Sequence, residues 1–348
     1  MRGTRTLASL LDNQTFTFRT QLESVYEGEV EAIHDARVAT RRIRELLALV
    51  PVVPGRARED DAAKAYKKVG RVLGRVRDID VQLALIQNLE AHATQTAPSL
   101  VIIRQDYERE RLSKTRRLIK TLERIDVGAL LHAASEGHPG GLRRRLMSNG
   151  WQRQLSRLVI ERARDAVTAI AHATGVYFPK RAHSTRIAIK QVRYAAEIAD
   201  ATGIGDIQPA IKTLRKGQEI LGDLHDRQTL ADTVERYADH DGVKAAQIEL
   251  THEVLEREVI QLHREYLARR AALRDACAEI ERSASRTWRD HRPLVAMSTA
   301  LAMSGIVAAQ YALAAGSRES RREVRTATSN AASTFPPIPR SQSIVVSG

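Results

Sequence analysis

Apolar positions recur at helical spacing along most of this chain, and two segments show it most clearly. Between His34 and Val50, the residues Ala36, Ala39, Ile43, Leu46, Leu47 and Val50 gather on one side of a helix, and His34, Arg37, Arg41 and Arg44 fill one narrow sector opposite. The pattern returns further on, with Ala188, Val192, Ala195 and Ala196 on the buried side and His183, Arg186, Lys190 and Arg193 in one stripe. Gly28 and the run Val50-Pro51-Val52-Val53-Pro54-Gly55 bracket the first segment; Pro179 and Gly203-Ile204-Gly205 bracket the second. Long charged segments, from about Asp60 to Ala93, Ser99 to His132, Ile207 to Ala238 and Gly242 to Ser283, add two helices to each half, and each half reads as four helices in all. Four is the usual number for an antiparallel bundle with short loops. Glu136-Gly137-His138-Pro139-Gly140-Gly141 reads as the linker between halves.

Composition agrees with helices and adds a charge. Aromatic residues are only 4% of the 348 positions, and Gly and Pro number 19 and 10, so little in the chain favours a sheet and an all-α protein is expected. The length suits about two domains, each able to bury a core. Fifty-five Lys and Arg against 42 Asp and Glu leave a formal charge of +13, while 43% hydrophobic residues exclude a disordered polycation. The expected partner is therefore acidic. The single cysteine, Cys277, cannot form an internal disulfide or a cysteine-based zinc site, which suits the cytoplasm.

The two halves repeat one another. His34-Asp35-Ala36-Arg37-Val38-Ala39-Thr40-Arg41-Arg42-Ile43-Arg44 matches His183-Ser184-Thr185-Arg186-Ile187-Ala188-Ile189-Lys190-Gln191-Val192-Arg193, 149 positions later. A second block follows each: Leu73-Gly74-Arg75-Val76-Arg77-Asp78 against Leu221-Gly222-Asp223-Leu224-His225-Asp226, at an offset of 148. Lys64, Lys67 and Lys68 meet Lys212, Arg215 and Lys216 at that same offset. The expectation is a duplication, with halves at 1–140 and 150–292 and four cationic stripes facing outward from two cores.

A charged sector opposite an apolar face is ordinarily just solvated, and acids at i,i+4 normally soften it. These stripes lack such acids: between His34 and Arg44 the only carboxylate is Asp35, off the basic sector. Like charges at this spacing cost a helix a few tenths of a kcal/mol each, so the stripes call for an external anion. Lys64, Lys67 or Lys68, Arg71 and Arg75 form a further stripe at helical spacing, with Lys212, Arg215 and Lys216 as its shorter counterpart. Arg109, Arg116, Lys120 and Arg124 read instead as a solvated face. His34 and His183 begin their helices without a partner at metal-ligand spacing, so no metal site is expected. Asp78 and Asp226 are expected to pair with basic neighbours, and Gly74 and Gly222 to permit close helix packing.

Two copies of H-x-x-R-[VI]-A-x-[RK]-x-[IV]-R, each followed by L-G-x-x-[RH]-D, closely resemble the CHAD family, the conserved-histidine α-helical domain. The resemblance spans roughly residues 1 to 285. It implies two four-helix bundles about a pseudo-two-fold axis, with a basic channel or surface between them. It also implies binding of inorganic polyphosphate, and for some members residence on polyphosphate granules. Carried onto this chain, the resemblance puts His34, Arg37, Arg41 and Arg44, with His183, Arg186, Lys190 and Arg193, on the ligand-facing surface, supported by Lys68 and Lys216. Glu219 and Asp223 stand where the first half has Arg71 and Arg75, which implies a smaller contribution from that helix.

Two other functions compete with this one. CHAD domains also occur fused to triphosphate tunnel metalloenzymes, whose strand signature is E-x-E-x-K. Here Glu29-Val30-Glu31-Ala32-Ile33 has Ile in place of Lys within a helical context, and no segment remains for a catalytic domain, so no enzyme and no cofactor are expected. A general polyanion or nucleic-acid binder needs only the charge, but no recognition motif is present, and few aromatics are available for stacking on single strands. At the ends, Asp12, Asn13 and Gln14 cut the first apolar run too early for a signal peptide. Leu294 to Gly316 has 23 uncharged residues between basic flanks, long enough to span a bilayer. Its Ala, Ser, Thr and Gly content suits a packing helix or extension better than an anchor. Ser317 to Gly348 reads as a disordered tail.

Overall fold

Thr6 opens the first helix, its Oγ1 accepting the Ser9 backbone N–H at 3.0 Å and so satisfying one of the donors left free in a first turn. The computed structural model describes residues 6–49, 57–92, 97–134, 151–238 and 244–290, and among them there are ten helices and no strand. The first half holds α1 (Leu7–Thr20), α2 (Leu22–Glu27), α3 (Val30–Leu47), α4 (Ala57–His92), α5 (Ala97–Arg124) and α6 (Val127–Ala134). The second holds α7 (Trp151–His172), α8 (Pro179–Ala201), α9 (Gln208–Glu235) and α10 (Ala245–Asp290). The first half thus has its four long helices plus two short ones. Gln21 alone separates α1 from α2, and Gly28, at φ 81°, ends α2 in the left-handed region that a side chain would strain. Pro179 begins α8, where its missing N–H costs nothing.

The halves share their cores. The main cluster runs from Leu7 and Phe18 through Ile33, Ile43 and Tyr66 to Val159, Ile189, Leu214 and Ile280, taking buried side chains from both halves. A fully buried Leu or Ile contributes about 1.5–3 kcal/mol, so this cluster is what holds α3 and α8 in place. A second cluster joins the C-terminal part of α4 (Ile86, Leu89), the start of α5 (Leu100, Ile103), the end of α9 (Leu230, Val234) and the start of α10 (Ile248, Leu255). Polar contacts cross between halves as well: Tyr107 Oη and Thr233 Oγ1 lie 3.2 Å apart, Tyr237 Oη donates to Asp106 at 2.8 Å, and Arg162 donates to Glu45 at 2.6 Å. The described residues up to Trp288 accordingly group into one compact unit. The expected linker at 136–141, the 294–316 segment and the 317–348 tail lie outside the described residues. No described helix is long and apolar enough to cross a membrane.

Candidate functional site

Helices α3 and α8, which carry the two copies of the first motif, pack against one another. Their cationic stripes turn toward this seam rather than away from two separate cores. Lys190 of α8 is the clearest witness. Burial pushes its ammonium down to about 8, and Arg186 on its own helix and Arg41 and Arg37 on α3 push the same way, opposed by Asp78. Arg41 is held at about 10, chiefly by burial, with Arg37, Arg193 and Arg42 adding to the effect and Tyr194 opposing it. Its Nε is buried without a hydrogen-bond partner, and its guanidinium lies over the Tyr194 ring, 4.2 Å from the centroid. Four cations from two helices therefore share one partly desolvated place.

Beneath them lie the second-motif blocks of α4 and α9. Arg37 lies along Gly74, where a Cβ would stand 3.3 Å from its Nε, and its Nη2 is 3.7 Å from Asp78 Oδ1. Arg186 lies beside Gly222, with 3.8 Å between its Nε and the position of a Cβ there. Burial raises the Asp226 carboxyl, and Arg186 works against that rise. Both glycines thus make room for a guanidinium. Gln82 Nε2 donates to the Asp226 carbonyl at 3.1 Å, tying α4 to α9 below the seam.

The histidines complete each side. Burial lowers His34 first and Arg77 second, and its Nδ1 is buried without a partner. His183 lies 4.8 Å from His225, ring centroid to ring centroid. Burial lowers His183, with Arg186 and Lys190 adding to it. His225 is pushed down to about 4 by burial, then by Arg186 and His183. These imidazoles are neutral at pH 7, and each would gain a proton more easily beside an anion.

The structure distributes the remaining sequence-predicted residues more widely. Arg44 is exposed on α3, its Nη1 3.9 Å from where a Cβ on Gly70 would stand. Lys64, Lys67, Lys68 and Arg71 are exposed along α4, and Lys212 is exposed on α9. Lys216 is 3.5 Å from Glu219 on its own helix. Arg193 corrects the expected stripe: only 7% exposed, it turns inward, where Nε donates to Gln218 at 2.9 Å and Nη1 bonds Glu197. An acid at i+4 and an amide on the neighbouring helix satisfy it, so it does not face a ligand. Arg215 joins the same acid, 3.6 Å from Glu197, instead of the seam.

Three residues at the seam went unassigned in the sequence: Arg77, His225 and Tyr194. Arg77 and His225 occupy the same position of the repeated second block, and that coincidence was the available signal. Tyr194 had none, because only the packing of α3 on α8 puts Arg41 over it. Among the described residues no group of three or more His, Cys, Asp or Glu side chains is placed to hold a metal ion.

The fold has a solved counterpart. The chain is similar to the crystal structure of the CHAD domain from the plant Ricinus communis, with a TM-score of 0.59, 19% identity, and coverage of 80% of this chain and 93% of that one. It is also similar to PptA from Streptomyces chartreusis, with a TM-score of 0.49 and 17% identity over 76% of this chain and 97% of that one. No curated protein sequence matches it. Residues 9–235, with both motif helices and both second-motif blocks, match the CHAD domain, and the chain belongs to that family.

Proposed function

We propose that this protein is a non-catalytic binding module for inorganic polyphosphate. The observation that supports it best is the half-buried seam that gathers Lys190 with Arg37, Arg41 and Arg186: burial first, and then the neighbouring guanidiniums, depress the Lys190 ammonium, and a bound anion would offset both. Polyphosphate suits the place. It carries about one charge per phosphate on a flexible chain without bases, so it needs closely spaced cations and no stacking platform. Arginine engages phosphate oxygens in a fork and lysine acts as a point charge. Arg44 on α3 and Lys67, Lys68 and Arg71 on α4 would continue the track outward. In this reading the protein resides in the cytoplasm and on polyphosphate granules, and it releases no phosphate from tripolyphosphate with magnesium or manganese.

Titration of long-chain polyphosphate into the full chain, with duplex DNA as competitor, tests the proposal. Binding that survives excess DNA at matched charge, weakens steeply with salt, and is lost in a folded Arg37→Glu/Arg41→Glu/Arg186→Glu/Lys190→Glu variant supports it. Unchanged affinity in that variant overturns it, and equal displacement by DNA reduces the site to a general polyanion surface.

A further inference from the structure

A cavity of about 540 Å³ opens beside the seam, between α1, α3, α8 and α9. We propose that it is a second binding site, for a small organic phosphate of nucleotide size, and this inference does not depend on polyphosphate binding.

Three features define the ligand. Leu10 and Ile198, both partly exposed, give an otherwise polar cavity one apolar wall on which a flat ring can rest. At one end, three guanidiniums from three helices meet a single carboxylate. Glu197 bonds the buried Arg193, while Arg42 and Arg215 approach it only to 3.8 and 3.6 Å. Those two lie beyond hydrogen-bond distance and are 47% and 57% exposed, so both can swing onto a phosphate while Arg193 keeps Glu197 neutralised. The nearby Glu45 is already taken by Arg162 at 2.6 Å.

The third feature is Tyr194. It lines the cavity at 4% exposure, and its hydroxyl is buried with no hydrogen-bond partner. The hydroxyl is shut off from the cavity, so Tyr194 offers a ligand only the edge of a ring that Arg41 and Arg193 both contact. Asp200 and Gln208, bonded to each other on the cavity wall, offer an acceptor and an amide to hydroxyl or amino groups of the ligand. A nucleoside monophosphate has this combination of one anionic group, a flat ring and a polar sugar.

Isothermal titration of AMP into the full chain is the test, with adenosine and orthophosphate as controls. The expected result is one AMP per chain, with both controls at least tenfold weaker. Arg42→Gln/Arg215→Gln should weaken AMP by tenfold or more, as expected for losing charge-assisted bonds. Lys190→Gln should leave it unchanged. Absence of AMP binding in the folded wild-type protein at millimolar concentration overturns the proposal. So does binding that Lys190→Gln removes and Arg42→Gln/Arg215→Gln leaves intact, because the nucleotide would then occupy the seam.

Discussion

The guanidinium of Arg41 on α3 is seated on the ring of Tyr194 on α8, 4.2 Å from its centroid, so a cation of the first half rests on a side chain of the second. Arg193 lies 4.4 Å from the same ring and is held by Glu197 and Gln218. The seam is therefore preformed: packing, and for Arg37 the nearby Asp78, positions its cations before any anion arrives. Ordering costs that a flexible cationic tail would meet on binding are met here by folding.

Proton uptake should accompany polyphosphate binding above pH 8. Lys190 titrates near 8 in the free protein, below its ordinary 10.5, and a bound polyanion raises it, so between these values the complex holds more protons than the free protein. Calorimetric titration at pH 9 in buffers of different ionisation enthalpy should detect the uptake, and Lys190→Arg should abolish it while retaining affinity.

The histidines set the acid side. His225 titrates near 4 when folded against 6.5 in the unfolded chain, so the unfolded state binds more protons between these values and stability is lost as pH falls through that window. His34 and His183 are lowered too and act in the same direction. Asp223 and Asp226, both raised by burial, act in the opposite direction from 3.8 upward. Thermal melts of the free protein should fall in Tm from pH 6.5 to 4.5, and His225→Gln should flatten that slope. Polyphosphate affinity should rise over the same interval.

Removing Glu197 should strand a buried charge. Glu197→Ala leaves Arg193, 7% exposed, without its carboxylate, and should cost about 3 kcal/mol in urea unfolding. Arg193→Met should cost much less, because it removes the charge that needs a partner.

Close packing of α9 on α10 depends on Gly217, where a Cβ would stand 2.5 Å from Leu273 Cδ2. Gly217→Ala should destabilise the protein by about 1–3 kcal/mol through overpacking. Denaturant unfolding measures it. Gly175, with nothing within 4 Å of its Cβ position, provides a comparison free of any clash, and Gly175→Asn, a residue that tolerates its positive φ of 67°, should be nearly neutral.

Much of this architecture was legible in the chain. The breakers Pro179 and Gly203 bracket α8, Gly28 stands just before α3, and the apolar positions from Ala36 to Leu47 are among those that α3 buries. Local rules reach that far because caps and amphipathic faces are properties of single helices. The basic stripes were legible as stripes, but their direction was not. Whether Arg41 faces solvent or the other half depends on how α3 crosses α8, a contact between residues some 150 positions apart. Arg193 illustrates a different limit: its partner Glu197 was visible at i+4, yet the depth that makes the pair structural comes only from tertiary packing. Gly74 and Gly222 were read as sites of close helix approach, and they accommodate guanidiniums of the neighbouring helix instead.

In the proposed function, α3 and α8 form one polyanion site rather than two. Titrating a short polyphosphate of defined length into the wild type, Arg37→Gln/Arg41→Gln, Arg186→Gln/Lys190→Gln and the fourfold variant tests it most directly, each over a salt series. One shared site predicts one chain bound per protein at saturation, a large affinity loss and a shallower salt slope from either pair, and non-additive losses in the fourfold variant. Two chains bound by the wild type, with each pair abolishing one and leaving the other at full affinity, would contradict it.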